Sequence, residues 1–153
     1  MELVIVMAVI SIISIYAIMK TAPIAEVTLP SQAQQMASDI RHAQTLAYTW
    51  GKRMRLTVTT GVNGTYSVAC FAGTPACDTS NNFSVTLQKG VALGGAVATG
   101  DGTLSFNSLG QPLDSLGASA SVSYTLTSGG GTATVCVAAL TGFVKVAPPD
   151  TCP

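Results

Sequence analysis

Charge is scarce in this chain: seven Lys and Arg stand against seven Asp and Glu, together 9% of 153 residues. That total supplies neither a polybasic membrane patch nor the basic footprint of a nucleic-acid binder. His42 is the only histidine, and there is no Gly-x-Ser-x-Gly elbow. A Ser-His-Asp triad therefore has no credible members, and no catalytic residue is assigned. The glycine-rich stretch Gly90 to Gly102 lacks a Lys-Ser/Thr ending and a following helix. That excludes a phosphate loop and leaves an expected exposed loop at a variable edge.

The cysteines begin only at Cys70, with Cys77, Cys136 and Cys152 after it. Four cysteines allow three pairings and point to an oxidising compartment. The favoured pairing is Cys70 with Cys77 and Cys136 with Cys152, because Gly73, Thr74 and Pro75 can turn one loop and Gly142, Pro148 and Pro149 the other. A zinc site is the competing reading, but it lacks CxxC spacing and a nearby histidine. No metal ligand or cofactor is assigned.

What is abundant is apolar residue at the front. Leu3 to Met19 is an uncharged run behind a single acid, Glu2, with Lys20 after it. A secretory signal has the opposite charge order and a small-residue cleavage site, so this run is expected to remain in the working protein. As a helix its seventeen residues would reach roughly 26 Å, the short end of a membrane span. Residues 20–30 hold Pro23 and Pro30 with β-branched Ile24, Val27 and Thr28 between them. Both prolines oppose a continuous helix, so an extended linker is predicted there.

Ser31 and Gln34 have capping-box spacing, which predicts a second helix over 31–50. Ala33, Met36, Ala37, Ile40, Ala43, Ala47 and Trp50 recur at three- and four-residue intervals and form its buried stripe, with Gly51 as the stop. Asp39, Arg41, His42, Thr45 and Thr49 fall largely off the stripe and are expected to meet solvent or neighbouring subunits. From Met54 the period becomes two, and Asn63-Gly64 predicts a hairpin turn into Tyr66 to Cys70. Further strands are predicted over Phe83 to Gln88, Thr103 to Asn107, Ser121 to Thr127, Thr132 to Ala138 and Phe143 to Val146. Ser128-Gly129-Gly130-Gly131 is the best hairpin signal in this half. The fold class is α+β, an amphipathic helix on an antiparallel sheet, with residues 31–153 as one globular domain behind 1–19 and the linker 20–30.

The chain resembles a type IV pilin or pseudopilin, most closely the FimT/GspH-like branch. Three blocks carry the resemblance: Glu2-Leu3-Val4-Ile5-Val6 opening the apolar run; Ser38-Asp39-Ile40-Arg41-His42-Ala43-Gln44-Thr45-Leu46-Ala47; and Phe106-Asn107-Ser108-Leu109-Gly110-Gln111-Pro112 with Leu140-Thr141-Gly142-Phe143-Val144. The resemblance implies a precursor in the bacterial inner membrane, cut by a prepilin peptidase, N-methylated, and passed by the pilus assembly machinery into a helical homopolymer exposed outside the cell. It also implies that Glu2 to Val6 direct assembly, with Glu2 meeting the N-terminal amine of a neighbour. Members of the family usually have a phenylalanine-led stretch before the glutamate, whereas only Met1 precedes Glu2. A start at an internal methionine is the expectation. The family's proline inside the apolar helix is displaced here to Pro23, with Pro30 following.

His42, three residues after Asp39 on the polar side of the helix, reads as half of a surface pair. Arg41, Lys52, Arg53 and Arg55 read as solvated and intersubunit charges rather than a phosphate grip, and no nucleic acid is expected. Tyr16, Tyr48 and Trp50 are too sparse for an aromatic path; Tyr48 and Trp50 are expected to pack helix against sheet. The expectation is a non-enzymatic pilus subunit, placed in the shaft by its Ser/Thr-rich, disulfide-containing surface. The alternatives are a minor pseudopilin of type II secretion, a minor pilin at the tip or in DNA uptake, and a bitopic adhesin that never polymerises.

Overall fold

The structure, a computed structural model, describes residues 24–71, 79–97, 103–148 and 152. The predicted apolar helix, with Glu2, Leu3, Val4, Ile5, Val6 and Pro23, lies outside them. Among the described residues no helix is long and apolar enough to cross a membrane. One helix, α1 (Ile24–Trp50), is followed by β1 (Met54–Thr59), β2 (Gly61–Val62), β3 (Thr65–Cys70), a short 3-10 turn, and β4 (Phe83–Thr86). Then come β5 (Ala92–Val97), β6 (Thr103–Phe106), β7 (Pro112–Leu113), β8 (Val122–Ser128), β9 (Gly131–Val137) and β10 (Val144–Ala147).

The predicted linker is corrected over 24–30, because α1 runs through Pro30 without a break. Ser31 caps nothing: its Oγ donates 2.9 Å back to the Thr28 carbonyl inside the helix. Proline at 30 removes one helical N–H and crowds the carbonyl four residues back, which opposes this arrangement. Packing outweighs that cost. Leu29 is buried, and its Cδ2 lies where a Cβ added to Gly131 would approach to 3.2 Å. Continuing the helix thus lets Leu29 cover the β8–β9 turn. At the other end the predicted stop is found. Gly51 has φ +62, its N–H reaches the Tyr48 carbonyl, and the Lys52 N–H reaches that of Ala47 at 3.1 Å. These are the two bonds of a Schellman motif, which favours glycine at its left-handed position.

The strands form two antiparallel sheets rather than one, in the orders β4-β3-β1-β6-β7 and β10-β9-β8-β5-β2. α1 packs across both. Ala33, Met36, Ala37, Ile40, Ala43 and Ala47 are fully buried against Leu56, Val68, Leu104 and Phe106 of the first sheet and Tyr124, Leu126 and Val135 of the second. The helix stripe is small, mostly alanine, which lets the helix sit low over the junction of the sheets.

One strand expectation is corrected. The glycine-rich segment is not all loop: β5 pairs with six residues of β8 and is flanked by β2. Gly95 lies opposite Tyr124, where a Cβ would stand 3.3 Å from that ring, so glycine clears space for a buried tyrosine. The hairpin expected at Asn63-Gly64 is found, with β1 and β3 paired antiparallel from Thr59 opposite Thr65, but its connection is longer than a tight turn. The chain leaves β1, pairs Gly61 and Val62 with β5 of the other sheet, and returns to β3. Gly64 permits the return, since a Cβ there would meet the Leu93 Cβ at 2.6 Å and the Thr59 carbonyl at 2.8 Å. The Gly129-Gly130 turn is as predicted, with Ser128 opposite Gly131 and both glycines at positive φ, +57 and +89.

Cys136 and Cys152 are disulfide-bonded, with a Cα–Cα separation of 5.5 Å. Cys70 is disulfide-bonded too, and its expected partner Cys77 lies outside the described residues. The Cys136–Cys152 link closes a loop of 16 residues, worth about 3 kcal/mol in the chain-entropy view. Cys136→Ser with Cys152→Ser should lower the urea midpoint accordingly. An unchanged midpoint would mean the link only ties down a tail.

Candidate functional site

Gln44 sits at the place where the segments Ser38 to Ala47, Phe106 to Pro112 and Leu140 to Val144 meet. It lies on α1, and its Nε2 donates to the Gly110 carbonyl at 2.8 Å and to the Thr141 carbonyl at 3.0 Å. The amide has two hydrogens, and both are used.

Each turn that Gln44 holds is prefolded by its own residues. In the first, Asn107 Oδ1 accepts from the N–H groups of Leu109 and Gln111, and the Asn107 Nδ2 donates to Gln111 Oε1. The side chain stands in for a backbone turn, the usual role of asparagine in such loops. In the second, the Ala138 N–H bonds the Phe143 carbonyl, the Gly142 N–H bonds that of Ala138, and Thr141 Oγ1 accepts from the Phe143 N–H. The turns touch at Gly142, where a Cβ would come within 2.8 Å of the Gly110 carbonyl. One helical turn before Gln44, Arg41 donates to the Val144 carbonyl at 2.8 Å, tying down the start of edge strand β10. Sequence spacing does not reveal this meeting, because the two turns lie 66 and 97 residues from Gln44.

On the other side of α1, the buried Tyr66 hydroxyl donates 2.7 Å to Asp39 Oδ2. Burial first, then the bond and the negative charge of Asp39, push the phenol far above its ordinary value, so it stays protonated. Asp39 is therefore a helix-to-sheet tie and not the expected partner of His42. His42 instead tilts over Phe83, 6.1 Å between ring centroids. Arg53 donates to Ser105 Oγ and the Asp114 carbonyl, and Arg53 and Arg55 both lie over Phe71, at 4.5 and 4.1 Å. Arg41, Arg53 and Arg55 thus engage protein groups. Tyr48 departs from expectation. It is exposed and lines, with Gln44, Thr45, Leu109 and Gly110, a surface cleft of about 340 Å³.

The family described as Type II transport protein GspH matches residues 32–141, which include Gln44, the whole of the first turn, the second turn as far as Thr141, and every strand but β10. The chain belongs to the GspH family. Its fold is similar to that of two solved structures. One is the type IV minor pilin FimU of Pseudomonas aeruginosa, at 12% identity and TM-score 0.61, covering 86% of this chain and 97% of that one. The other is the minor pseudopilin EpsH from the type 2 secretion system of Vibrio cholerae, at 13% identity and TM-score 0.56, covering 80% and 98%. Among curated proteins none matches the sequence. The α+β pilin fold expected from sequence is the fold of this GspH-family chain, with two sheets in place of one.

Proposed function

We propose that this GspH-family chain is a non-enzymatic subunit of a type IV pilus filament, held in the inner membrane by Leu3 to Met19 before assembly and exposed outside afterwards. The observation that carries the reading is that uncharged run behind Glu2, joined within a few residues to a long helix that enters the domain. Outside lipid, such a run needs other apolar surface to cover it, and a bundle of like helices supplies that. A prepilin peptidase and the pilus assembly machinery are the partners this reading requires. Gln44 and its two turns then act as a rigid support, holding the domain's outer loops to the helix that becomes the filament's spine.

A second reading, a minor pseudopilin of type II secretion, is favoured by the family's own description. Deleting the gene separates the two. Loss of surface filaments with normal release of secreted enzymes supports the pilus subunit; normal filaments with a block in secretion supports the pseudopilin and overturns the first reading.

A further inference from the structure

Tyr48, Leu109, Leu140 and Phe143 are each 64–70% exposed, and the geometry around Gln44 brings them to one place. Tyr48 and Leu109 line the same cleft, and Gln44 bonds the carbonyls next to Leu109 and Leu140. Leu140 is held at φ +67, a left-handed conformation that disfavours bulky residues and that glycine or asparagine would adopt more readily. Its N–H is fixed by Ser119 Oγ at 3.1 Å. A large apolar side chain is thus displayed to water at a conformational cost.

We propose that this patch receives the apolar segment Leu3–Met19 of a second copy of the chain. The proposal rests on the filament reading above. Patch and segment are both apolar and contain no charged side chain, so no ion must lose water on contact. In sequence the chain's own segment precedes α1. It joins α1 at Ile24, and α1 has 27 residues, so Tyr48 near its far end lies about 36 Å away along the axis. A parallel copy displaced by about one length of α1 would bring its preceding 23 residues, roughly 35 Å if helical, alongside this patch. Area argues the same way. Four side chains at this exposure offer on the order of 500 Å², short of the roughly 800 Å² per partner in a stable complex. The occupant must therefore be held nearby by other contacts, as a copy in a helical bundle is.

Photocrosslinking in cells that assemble the full chain tests this. With p-benzoylphenylalanine in place of Phe143, irradiation should give a covalent dimer in the filament fraction, with the linked peptide drawn from residues 1–23 of a differently tagged copy. The same probe at exposed Thr57, on the outer face of β1, should give no such dimer. Leu140→Gly relieves the left-handed position, so melting temperature should hold or rise while dimer yield falls. Crosslinks to another protein or to the globular surface of a second copy, no crosslink from chains that are in filaments, or an unchanged yield in Leu140→Gly each overturn the contact. Absence of the chain from filaments overturns the filament reading and this contact with it.

Discussion

Gly142→Ala is expected to destabilise the domain by on the order of 3–5 kcal/mol. The added Cβ would lie 2.5 Å from Gln44 Nε2 and 2.8 Å from the Gly110 carbonyl. Neither neighbour can give way freely, because the Gln44 amide is fixed by bonds to two carbonyls and the Gly110 carbonyl is one of them. The residue also sits at φ +67, which costs an L side chain about 1–3 kcal/mol by itself. Releasing Gln44 would then leave two carbonyls to find new donors. Gly130→Ala is the matched control. Its φ is +89, yet nothing lies within 4 Å of the added Cβ, so only the conformational cost, about 1 kcal/mol, should appear. Thermal unfolding of the two variants followed by circular dichroism makes the comparison. Equal losses would mean that the Gln44 junction contributes little and that backbone strain is the whole effect.

Glu2→Ala should remove the chain from filaments while leaving it in the membrane. On the proposed reading membrane insertion rests on Leu3 to Met19, which the substitution does not touch, and a neutral residue before it favours lipid further. Assembly is different. Inside an apolar bundle a carboxylate is tolerated only when paired, so it penalises every register except the one that gives it a cation. On the proposed role of Glu2, alanine should abolish that discrimination and leave the neighbour's amine unpaired. Quantifying the chain in membrane and filament fractions reads both arms. Wild-type amounts in the filament fraction would end the role assigned to Glu2.

Periodicity was most legible where burial is one-sided. The alanine and methionine stripe of α1 is buried as spaced, Gly51 ends the helix, and Gly129-Gly130 turns the β8–β9 hairpin. Pro30 misled because its local cost is smaller than what Leu29 gains by reaching the second sheet, a contact about a hundred residues away in sequence. β5 was hidden because Gly94 and Gly95 erase the alternation that marks a strand, and at Gly95 the reason for glycine is Tyr124 on a later strand. The second sheet was invisible for a related reason: β2 is two residues long and leaves its own hairpin to pair elsewhere. Resemblance pointed to the blocks holding Gln44, Gly110 and Gly142, but their convergence needed the fold. Tyr48 was misplaced because its helical phase borders the buried stripe, and only the packed sheets reveal on which side of the border it falls.

Incorporation of this chain into a pilus filament, as proposed, is open to measurement. Filaments sheared from cells, purified away from membranes and digested for peptide mass spectrometry test it most directly. Peptides of this chain should be present in the filaments, and lost from them but retained in membranes when Glu2→Ala replaces the wild type. Filaments of normal yield that never contain the chain would contradict it.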